Sequence, residues 1–302
     1  MLLNGQKPGI ITTVKHDDAK IVQIKPENIL GHVVEGEIVV IAGFQGATES
    51  GEITTLERGR SDTSATAFGA VIEVVAVEIY TDVNGIMTAD PRIVPAAFTI
   101  ASASHEEVYQ LAVHGAKVIH SWAVEIALRH NIPLKIKCTF TDEAGTGISS
   151  RLNGTIEQLK SHSIVGIAHQ SDYGTRRLLS KLVTAGVDVD YLNISKLDME
   201  LVASAGVIET AAALARDTGT ELAEKLGGCG KISLVGRSAN NVSSLTDTFI
   251  EVLRRENIEV LQTYTGPYAI SGIVDEKNMI SAIQALHGNL FETQRGPQAM
   301  SA

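Results

Sequence analysis

Two apolar, β-forming segments enclose a polar loop and an alanine-rich segment near the start of the chain. Residues 37–43 read EIVVIAG and residues 74–83 read VVAVEIYTDV, and both patterns are typical of strands. Between them, Ser61 and Asp62 can cap a helix over residues 63–71. This order predicts a βαβ unit, in which ligands bind beyond the carboxyl ends of the strands. The loop TTLERGRSDTSA, residues 54–65, therefore lies where binding sites form.

Further helices and strands follow in alternation. Ser104 and Glu107 have the spacing of a capping box, which predicts a helix directly after them. A second helix is predicted over residues 121–130, ending at Asn131, and a strand over residues 132–140. Residues 141–155 are rich in Gly, Thr and Ser, so we place a domain boundary there.

The second half of the chain contains a weak internal repeat. Residues 164–195 and residues 231–265 share the order strand, polar loop, amphipathic helix, strand. Between the two copies, GGCGKIS at residues 227–233 lacks the spacing of a phosphate-binding loop, and we interpret it as a turn. The pattern predicts two small α/β modules after one larger α/β unit.

Charge and composition exclude several classes of function. The net charge is −10 and aromatic residues make up 4% of the chain, which argues against a nucleic-acid surface. No apolar stretch is long enough to cross a membrane, so we predict a cytoplasmic protein. Cys138 and Cys229 lie far apart, and His105-Glu106 lacks a second histidine at zinc-site spacing. We therefore predict no disulfide and no metal site.

Three loops taken together offer cations, carboxylates and glycines. They are residues 54–65, residues 80–92 (YTDVNGIMTADPR) and residues 114–120 (HGAKVIH). Taken alone, the second loop is better explained as a capped hairpin with a surface arginine, and His114 and His120 as ordinary surface or core histidines. Taken together, the three loops indicate a site for anionic ligands.

The motifs AGFQGAT, TTLERGRSDTSA, YTDVNGIMTADPR and HGAKVIHSWAVEIA, followed by the paired repeat, resemble an aspartate kinase of the amino-acid kinase family. The resemblance covers essentially the whole chain. It implies a partial amino-acid kinase α/β sheet sandwiched by helices, over residues 1–148. Two ferredoxin-like βαββαβ ACT modules would follow, over residues 160–226 and 229–292.

The resemblance also implies an activity. Family members use ATP and Mg²⁺ to phosphorylate the side-chain carboxylate of L-aspartate, for lysine, threonine, methionine and diaminopimelate biosynthesis. By resemblance, Arg58 and Ser61 bind the substrate and Asp62 orients the catalytic cations. Thr81, Asp82, Arg92 and Lys117 would hold the nucleotide, and Lys117 would also act in catalysis.

The ACT modules imply an amino-acid effector, with lysine, threonine and diaminopimelate as the candidates. By resemblance the effector contacts loops before the first helix of each module, at residues 169–174 and 237–242. We single out Gln170, Ser171 and Asp172 in the first loop, and Asn240 and Asn241 in the second. Solvated turns explain these residues equally well. ACT modules pair between subunits, which predicts a homodimer or a hetero-oligomer with a complete kinase subunit.

The chain departs from the family pattern at several positions. Glu57 and Arg60 stand where glycines are usual, and Ser121-Trp122 stands where Pro-Arg is usual. The resemblance further implies a start partway through the catalytic domain, without the Lys-Phe-Gly-Gly-Thr-Ser strand. These departures argue against activity of the chain alone. The alternatives are a catalytically silent regulatory subunit or paralogue that binds an amino-acid effector, and a truncated gene model.

Overall fold

The computed structural model describes residues 2–3, 9–56, 61–150, 163–174, 179–185, 191–194, 199–203, 225–236, 242–266 and 268–292, with residues 210, 213 and 214. These residues form two compact units. The first comprises Met1–Thr88 and Phe98–Ser161, and the second comprises Ala89–Ala97 and His162–Ala302. The domain limits predicted above stay a prediction. No helix in the described part of the chain is both long and apolar enough to cross a membrane.

The first unit contains ten strands and four helices among its described residues. In chain order they are β1 (Leu2–Leu3), β2 (Ile10–Thr12), β3 (Ile21–Ile24), α1 (Glu27–Val34), β4 (Val40–Ile41), β5 (Gln45–Ala47), β6 (Ile53–Thr55), α2 (Ser61–Val71), β7 (Val77–Thr81), β8 (Ser102–Ala103), α3 (His105–Val113), α4 (Ser121–His130), β9 (Leu134–Cys138) and β10 (Thr146–Ile148).

These strands form two four-stranded sheets and one pair. One sheet has the order β3, β2, β5, β6 and the other has the order β7, β9, β10, β8, while β1 pairs with β4. Strands β7 and β9 run parallel, with Val77 opposite Leu134 and Thr81 opposite Cys138. Strand β7 follows α2 as predicted, but among the described residues β4 and β6, which precede α2, do not belong to the sheet of β7, so the predicted βαβ unit is not formed there.

Two helices of the first unit match their predicted signals. Ser104 Oγ accepts a hydrogen bond from the Glu107 N–H at 3.2 Å, and Glu107 Oε2 accepts one from the Ser104 N–H at 2.8 Å. The capping box therefore starts α3 as predicted. Helix α4 has the predicted bounds and ends at Asn131, whose φ of 53° is left-handed.

The prediction of a buried strand over residues 37–43 is wrong. Only Val40–Ile41 is a strand, and among the described residues it pairs with β1 alone. Ile38 is 84% exposed and Val40 is 54% exposed. A continuous apolar run predicts burial only if neighbouring elements cover both faces, and the described residues do not cover this one. Ile41 and Val39 instead pack against the core cluster of Ile10, Ile29 and Phe68.

The second unit contains one six-stranded sheet. Its elements are β11 (Ser163–Gly174), α5 (Leu179–Thr184), β12 (Tyr191–Ile194), β13 (Met199–Ala203), β14 (Lys225–Val235), α6 (Val242–Arg255), β15 (Gln262–Thr265), β16 (Ala269–Asp275) and α7 (Met279–His287). The strand order is β12, β13, β11, β14, β16, β15. The first half of this unit contributes β11, α5, β12 and β13, and the second half contributes β14, α6, β15 and β16. The two halves meet where β11 pairs antiparallel with β14. The repeated pattern predicted from the sequence is therefore present.

Two predicted turns of the second unit are strands. Residues 169–174 continue β11, because β13 and β14 both pair with this segment. Residues 227–233 lie inside β14, where the register shifts opposite residues 169–171. The glycines that suggested a turn accommodate this bulge, and Gly228 has a φ of 69°. The sequence pattern around a glycine does not distinguish a turn from a β-bulge.

His105 is expected to make the stability of the first unit depend on pH. The ring is fully buried, with Nε2 at 2.8 Å from Ile132 O and Nδ1 at 3.0 Å from Ser150 Oγ. Burial lowers the pKa of His105 below its ordinary value of 6.5, against smaller opposing effects of the Ile132 carbonyl and of Glu106. The folded state favours the neutral ring. The stability that depends on this neutral ring is therefore complete above pH 6.5 and is lost as the pH falls below it.

Urea denaturation across the acid range tests this expectation. The free energy of unfolding should decrease as the pH falls from about 7.5 to about 5, and His105→Gln should make that decrease shallower. His130→Gln is the matched control, because His130 is exposed at the end of α4. Equal slopes in the wild type and in His105→Gln would show that the buried ring does not titrate in this range.

Candidate functional site

The start of α2 and the end of β7 lie at the same end of the first unit. Residues 72–76 reverse the chain between them, and a Cβ placed on Gly69 would lie 2.6 Å from Val77 Cγ2. The last turn of α2 therefore packs beside the first residue of β7. Since α2 has 11 residues and β7 has 5, both span roughly 16 Å. Ser61 and Asp62 are thus placed at the edge where Thr81 and Asp82 end the strand.

Helix α4 and strand β9 repeat this arrangement. Asn131 reverses the chain between them, with the Ile132 N–H donating to Ala127 O at 2.9 Å, and α4 packs against α2. Because β7 and β9 are parallel, their carboxyl ends share one edge. The starts of α2 and α4 and the ends of β7 and β9 therefore meet there. We call this region the candidate site, defined by Ser61, Asp62, Thr81, Asp82 and residues 114–120.

A direct contact joins the two helix starts. Asp62 Oδ2 accepts a hydrogen bond from the His120 N–H at 3.0 Å, and Asp62 Oδ1 accepts one from Ser61 Oγ at 3.2 Å. His120 in turn caps α4, because its Nδ1 accepts from the Trp122 N–H at 3.2 Å. Asp62 therefore holds the segment that leads into α4 against the first turn of α2.

Lys117 lies in the segment that Asp62 holds. Helix α3 ends with hydrogen bonds from the Gly115 N–H to Ala112 O at 3.1 Å and from the Ala116 N–H to Leu111 O at 2.9 Å. This turn directs residues 116–120 from the end of α3 to the start of α4. The Lys117 side chain is exposed, three residues before His120. The hydrogen bond of Asp62 to the His120 N–H thus holds the segment that contains Lys117 beside the start of α2.

Thr81 and Asp82 end β7. Thr81 Oγ1 donates to Asp82 Oδ1 at 3.0 Å, and Thr81 O accepts from the Thr139 N–H at 2.8 Å. Asp82 is exposed at the edge. Further down the strand, the Tyr80 hydroxyl lies 2.9 Å from Glu78 Oε2 and lowers the pKa of Glu78, to which Lys137 and Lys135 also contribute. The end of β7 therefore presents to solvent the Asp82 carboxylate, which accepts a hydrogen bond from the Thr81 hydroxyl.

Other predicted residues are not brought to this edge by the described structure. Arg92 belongs to Ala89–Ala97, in the second unit, where its guanidinium lies 2.6 Å from Asp90 Oδ2 and its side chain is 88% exposed. This ion pair holds the pKa of Asp90 below its usual value and raises the pKa of Arg92. Arg58, Asn240 and Asn241 lie outside the described residues.

The predicted effector residues Gln170, Ser171 and Asp172 are in β11 rather than in a loop. Their backbones face Ala203, Val202 and Leu201 of β13. The predicted loop conformation is therefore wrong for these three residues, although β11 directly precedes α5 in chain order. Their role in effector binding stays a prediction.

Sequence patterns missed two features of the site. His120 was interpreted as an ordinary surface or core histidine, yet its backbone N–H and its ring both hold the start of α4. Histidine is not among the preferred N-cap residues, so the local sequence carried little signal. The second feature is Lys20, whose Nζ lies 5.4 Å from the centroid of the Trp122 ring. A contact between residues so distant in the chain has no local signature.

One group of side chains among the described residues could hold a metal ion. Single ligand atoms of His32, Glu35 and Glu37 lie within 4.8 Å of one another, at the end of α1. His32 Nδ1 is 2.9 Å from Glu37 Oε2, so the direct contact of these two side chains accounts for the arrangement. None of these residues belongs to the candidate site.

Comparison with known proteins places this geometry in a family. A family model described as "Amino acid kinase family" matches residues 3–138, and one described as "ACT domain" matches residues 232–290. The chain is 34% identical over 307 residues to Aspartokinase 1 of Bacillus subtilis, covering 97% of this chain and 76% of that protein. It is 34% identical over 305 residues to the aspartokinase of Geobacillus stearothermophilus, covering 94% of this chain and 74% of that protein.

Solved structures show the same fold. The crystal structure of E. coli aspartokinase III in complex with aspartate and ADP matches with a TM-score of 0.79 and 22% identity, over 96% of this chain and 70% of that chain. Clostridium acetobutylicum aspartate kinase matches with a TM-score of 0.77 over the same shares. The fold is therefore that of an amino-acid kinase with ACT architecture after it. By its sequence identity to the curated relatives, the chain belongs to the aspartokinase family.

Proposed function

We propose that the chain is an aspartate kinase, which transfers the γ-phosphoryl group of ATP to the side-chain carboxylate of L-aspartate. The product, 4-phospho-aspartate, would serve lysine, threonine, methionine and diaminopimelate biosynthesis in the cytoplasm. Family membership supports this class of reaction. The single observation that carries the proposal is the contact of Asp62 with the His120 N–H, which joins two helix starts and the Lys117 loop at one edge.

Charge neutralisation is the main requirement of this reaction, because ATP and aspartate are both anionic. Lys117 would contact the ATP phosphates, and Arg58 would pair with a substrate carboxylate through its two-pronged guanidinium. Ser61 would position the substrate beside Asp62. We assign Asp62 to orienting the catalytic cations rather than to proton abstraction, because both its oxygens already accept hydrogen bonds. Thr81 and Asp82 would hold the nucleotide.

Mg²⁺ fits the candidate site by the chemistry of its donors. The exposed carboxylate of Asp82 offers the hard oxygen ligand that Mg²⁺ prefers, and nucleotide phosphates supply others. When bound with ATP, the ion would neutralise phosphate charge. The protein's own part is to fix Asp82 at the strand end through the Thr81 hydroxyl, while the Thr139 N–H holds the Thr81 carbonyl.

Trapping the acyl phosphate with hydroxylamine tests the proposed reaction. The wild-type chain with ATP, Mg²⁺ and aspartate should form hydroxamate, and Lys117→Met should lose about 100-fold or more of that activity. Lys25→Met is the control, because Lys25 is exposed and directly follows β3. This variant should keep the wild-type activity. The assay is repeated with a mixture of the chain and Aspartokinase 1 of B. subtilis. The hydroxamate formed by the mixture is compared with the sum of the amounts that the two proteins form separately. No product above that sum and none from the chain alone would contradict the proposal.

A second candidate function is regulatory, and the ACT match at residues 232–290 favours it. In this function the chain is a silent subunit or paralogue that binds lysine, threonine or diaminopimelate, as a homodimer or beside a complete kinase subunit. The relative E. coli aspartokinase III has been solved with lysine and aspartate, which supports lysine as a candidate. An effector at a hundredfold excess over its Kd should stabilise the fold by about 2.7 kcal/mol. Absence of a shift with all three amino acids would contradict this function.

A further inference from the structure

A lysine that no motif singled out lies beside the candidate site. Lys20 Nζ is 5.4 Å from the centroid of the Trp122 indole ring, and Trp122 is the second residue of α4. The Trp122 N–H is held by His120 Nδ1, and the His120 N–H is held by Asp62. A chain of contacts therefore leads from the Asp62 carboxylate to the ring under the Lys20 ammonium.

The backbone of Lys20 is fixed on both sides. Its N–H donates to Thr13 Oγ1 at 3.1 Å, and its carbonyl accepts from the Thr13 N–H at 3.0 Å. The preceding residue, Ala19, donates to Thr55 O at 3.0 Å and forms a bridge with Leu56. Leu56 is buried and directly precedes residues 57–60, which contain Arg58. Lys20 is thus anchored beside the strand that leads into the predicted substrate loop.

The charge of Lys20 has no carboxylate partner within the described part of the chain. Some other lysines of the first unit do: Lys15 pairs with Asp18, while Lys135 and Lys137 pair with Glu78. A ring face attracts an ammonium without neutralising its charge, so it orients the group while leaving its N–H donors available. An exposed, oriented and unneutralised cation at this edge is suited to an anionic ligand.

We propose that Lys20, oriented by the Trp122 ring, is an anion-binding residue of the candidate site and takes a carboxylate or phosphate group of a substrate. This inference rests on the proposed function, since that function brings two anionic substrates to this edge. Lys20 contacts the ligand, and Trp122 acts through Lys20 as a positioning residue.

Trp122 also supplies the measurement, because it is the single tryptophan of the chain. Its fluorescence is titrated with MgADP and, separately, with L-aspartate, and both affinities are checked by calorimetry. Lys20→Met should weaken one of the two ligands about tenfold, because it removes a charge-assisted hydrogen bond. Weakened MgADP binding assigns Lys20 to a phosphate, and weakened aspartate binding assigns it to a carboxylate. Lys25→Met removes the same charge beyond the far end of β3 and should leave both affinities unchanged.

Two variants of Trp122 test the positioning role by calorimetry. Trp122→Phe keeps an aromatic face and should bind like the wild type, whereas Trp122→Leu should reproduce part of the Lys20→Met loss. If the wild type binds and Lys20→Met binds equally well, this inference is wrong while the proposed function stands. If the wild type binds neither ligand, the proposed function fails and this inference fails with it.

Discussion

Asp62→Ala is expected to abolish the proposed kinase activity and to destabilise the first unit. The carboxylate accepts the His120 N–H and the Ser61 hydroxyl, so its removal leaves a partly buried donor without a partner. Such a loss costs about 1–3 kcal/mol in the free energy of unfolding. Activity in the hydroxamate assay should fall about 100-fold or more, because the Lys117 loop is no longer held at the start of α2.

Two further variants separate the structural and chemical roles of Asp62. Asp62→Asn keeps an oxygen for the His120 N–H, so it should recover most of the stability but little of the activity. Ser61→Ala removes only the hydroxyl contact and should change the stability by about 1 kcal/mol or less. An Asp62→Ala protein with full stability and full activity would show that this contact does not organise the site.

Gly145→Ala is expected to cost about 3 kcal/mol or more in the free energy of unfolding. Gly145 directly precedes β10 with a φ of 72°, and a Cβ there would lie 2.0 Å from the Ile136 backbone oxygen. The alanine would therefore carry both a left-handed conformation and a clash with β9. Since β9 ends at the candidate site, its displacement should also lower ligand affinity. Urea denaturation measures the stability.

Gly51→Ala is the matched control for this variant. Gly51 has a φ of 87°, but a Cβ there would meet no atom within 4 Å. Only the conformational cost remains, about 1 kcal/mol. If the two alanine variants lose equal stability, the contact with Ile136 is not the cause of the larger loss.

Elements with strong local end signals were predictable from the sequence. The capping box of Ser104 and Glu107 specifies the start of α3, and Asn131 specifies the end of α4. Both signals act through hydrogen bonds to the helix's own backbone, so neighbouring elements do not alter them. Helix α2 begins at Ser61, two residues before the prediction, which places Asp62 in its first turn rather than outside it.

Elements defined by their neighbours were not predictable in the same way. Residues 37–43 have the composition of a buried strand, but the burial of Ile38 depends on which elements lie over it. Residues 169–174 are polar enough for a loop, yet pairing with strands distant in the sequence extends β11 through them. Burial and pairing are tertiary properties, and they override local preference in both segments.

In the candidate site, too, local positions differ from contacts between elements in how far the sequence predicts them. The local pattern predicts Asp62 beside the start of a helix and Asp82 beside the end of a strand, and the structure has them there. The contact of Asp62 with the His120 backbone and that of Lys20 with Trp122 depend on how separate elements pack. Positions at the ends of elements were therefore predictable, whereas these contacts were not.

The most direct test of the account is a crystal structure of the chain with ADP, Mg²⁺ and L-aspartate. The account predicts density for both ligands between the starts of α2 and α4 and the ends of β7 and β9. Asp62, Asp82 and the Lys117 loop should surround that density. Ligand density at another place in the chain, or none at this edge at saturating concentrations, would contradict it.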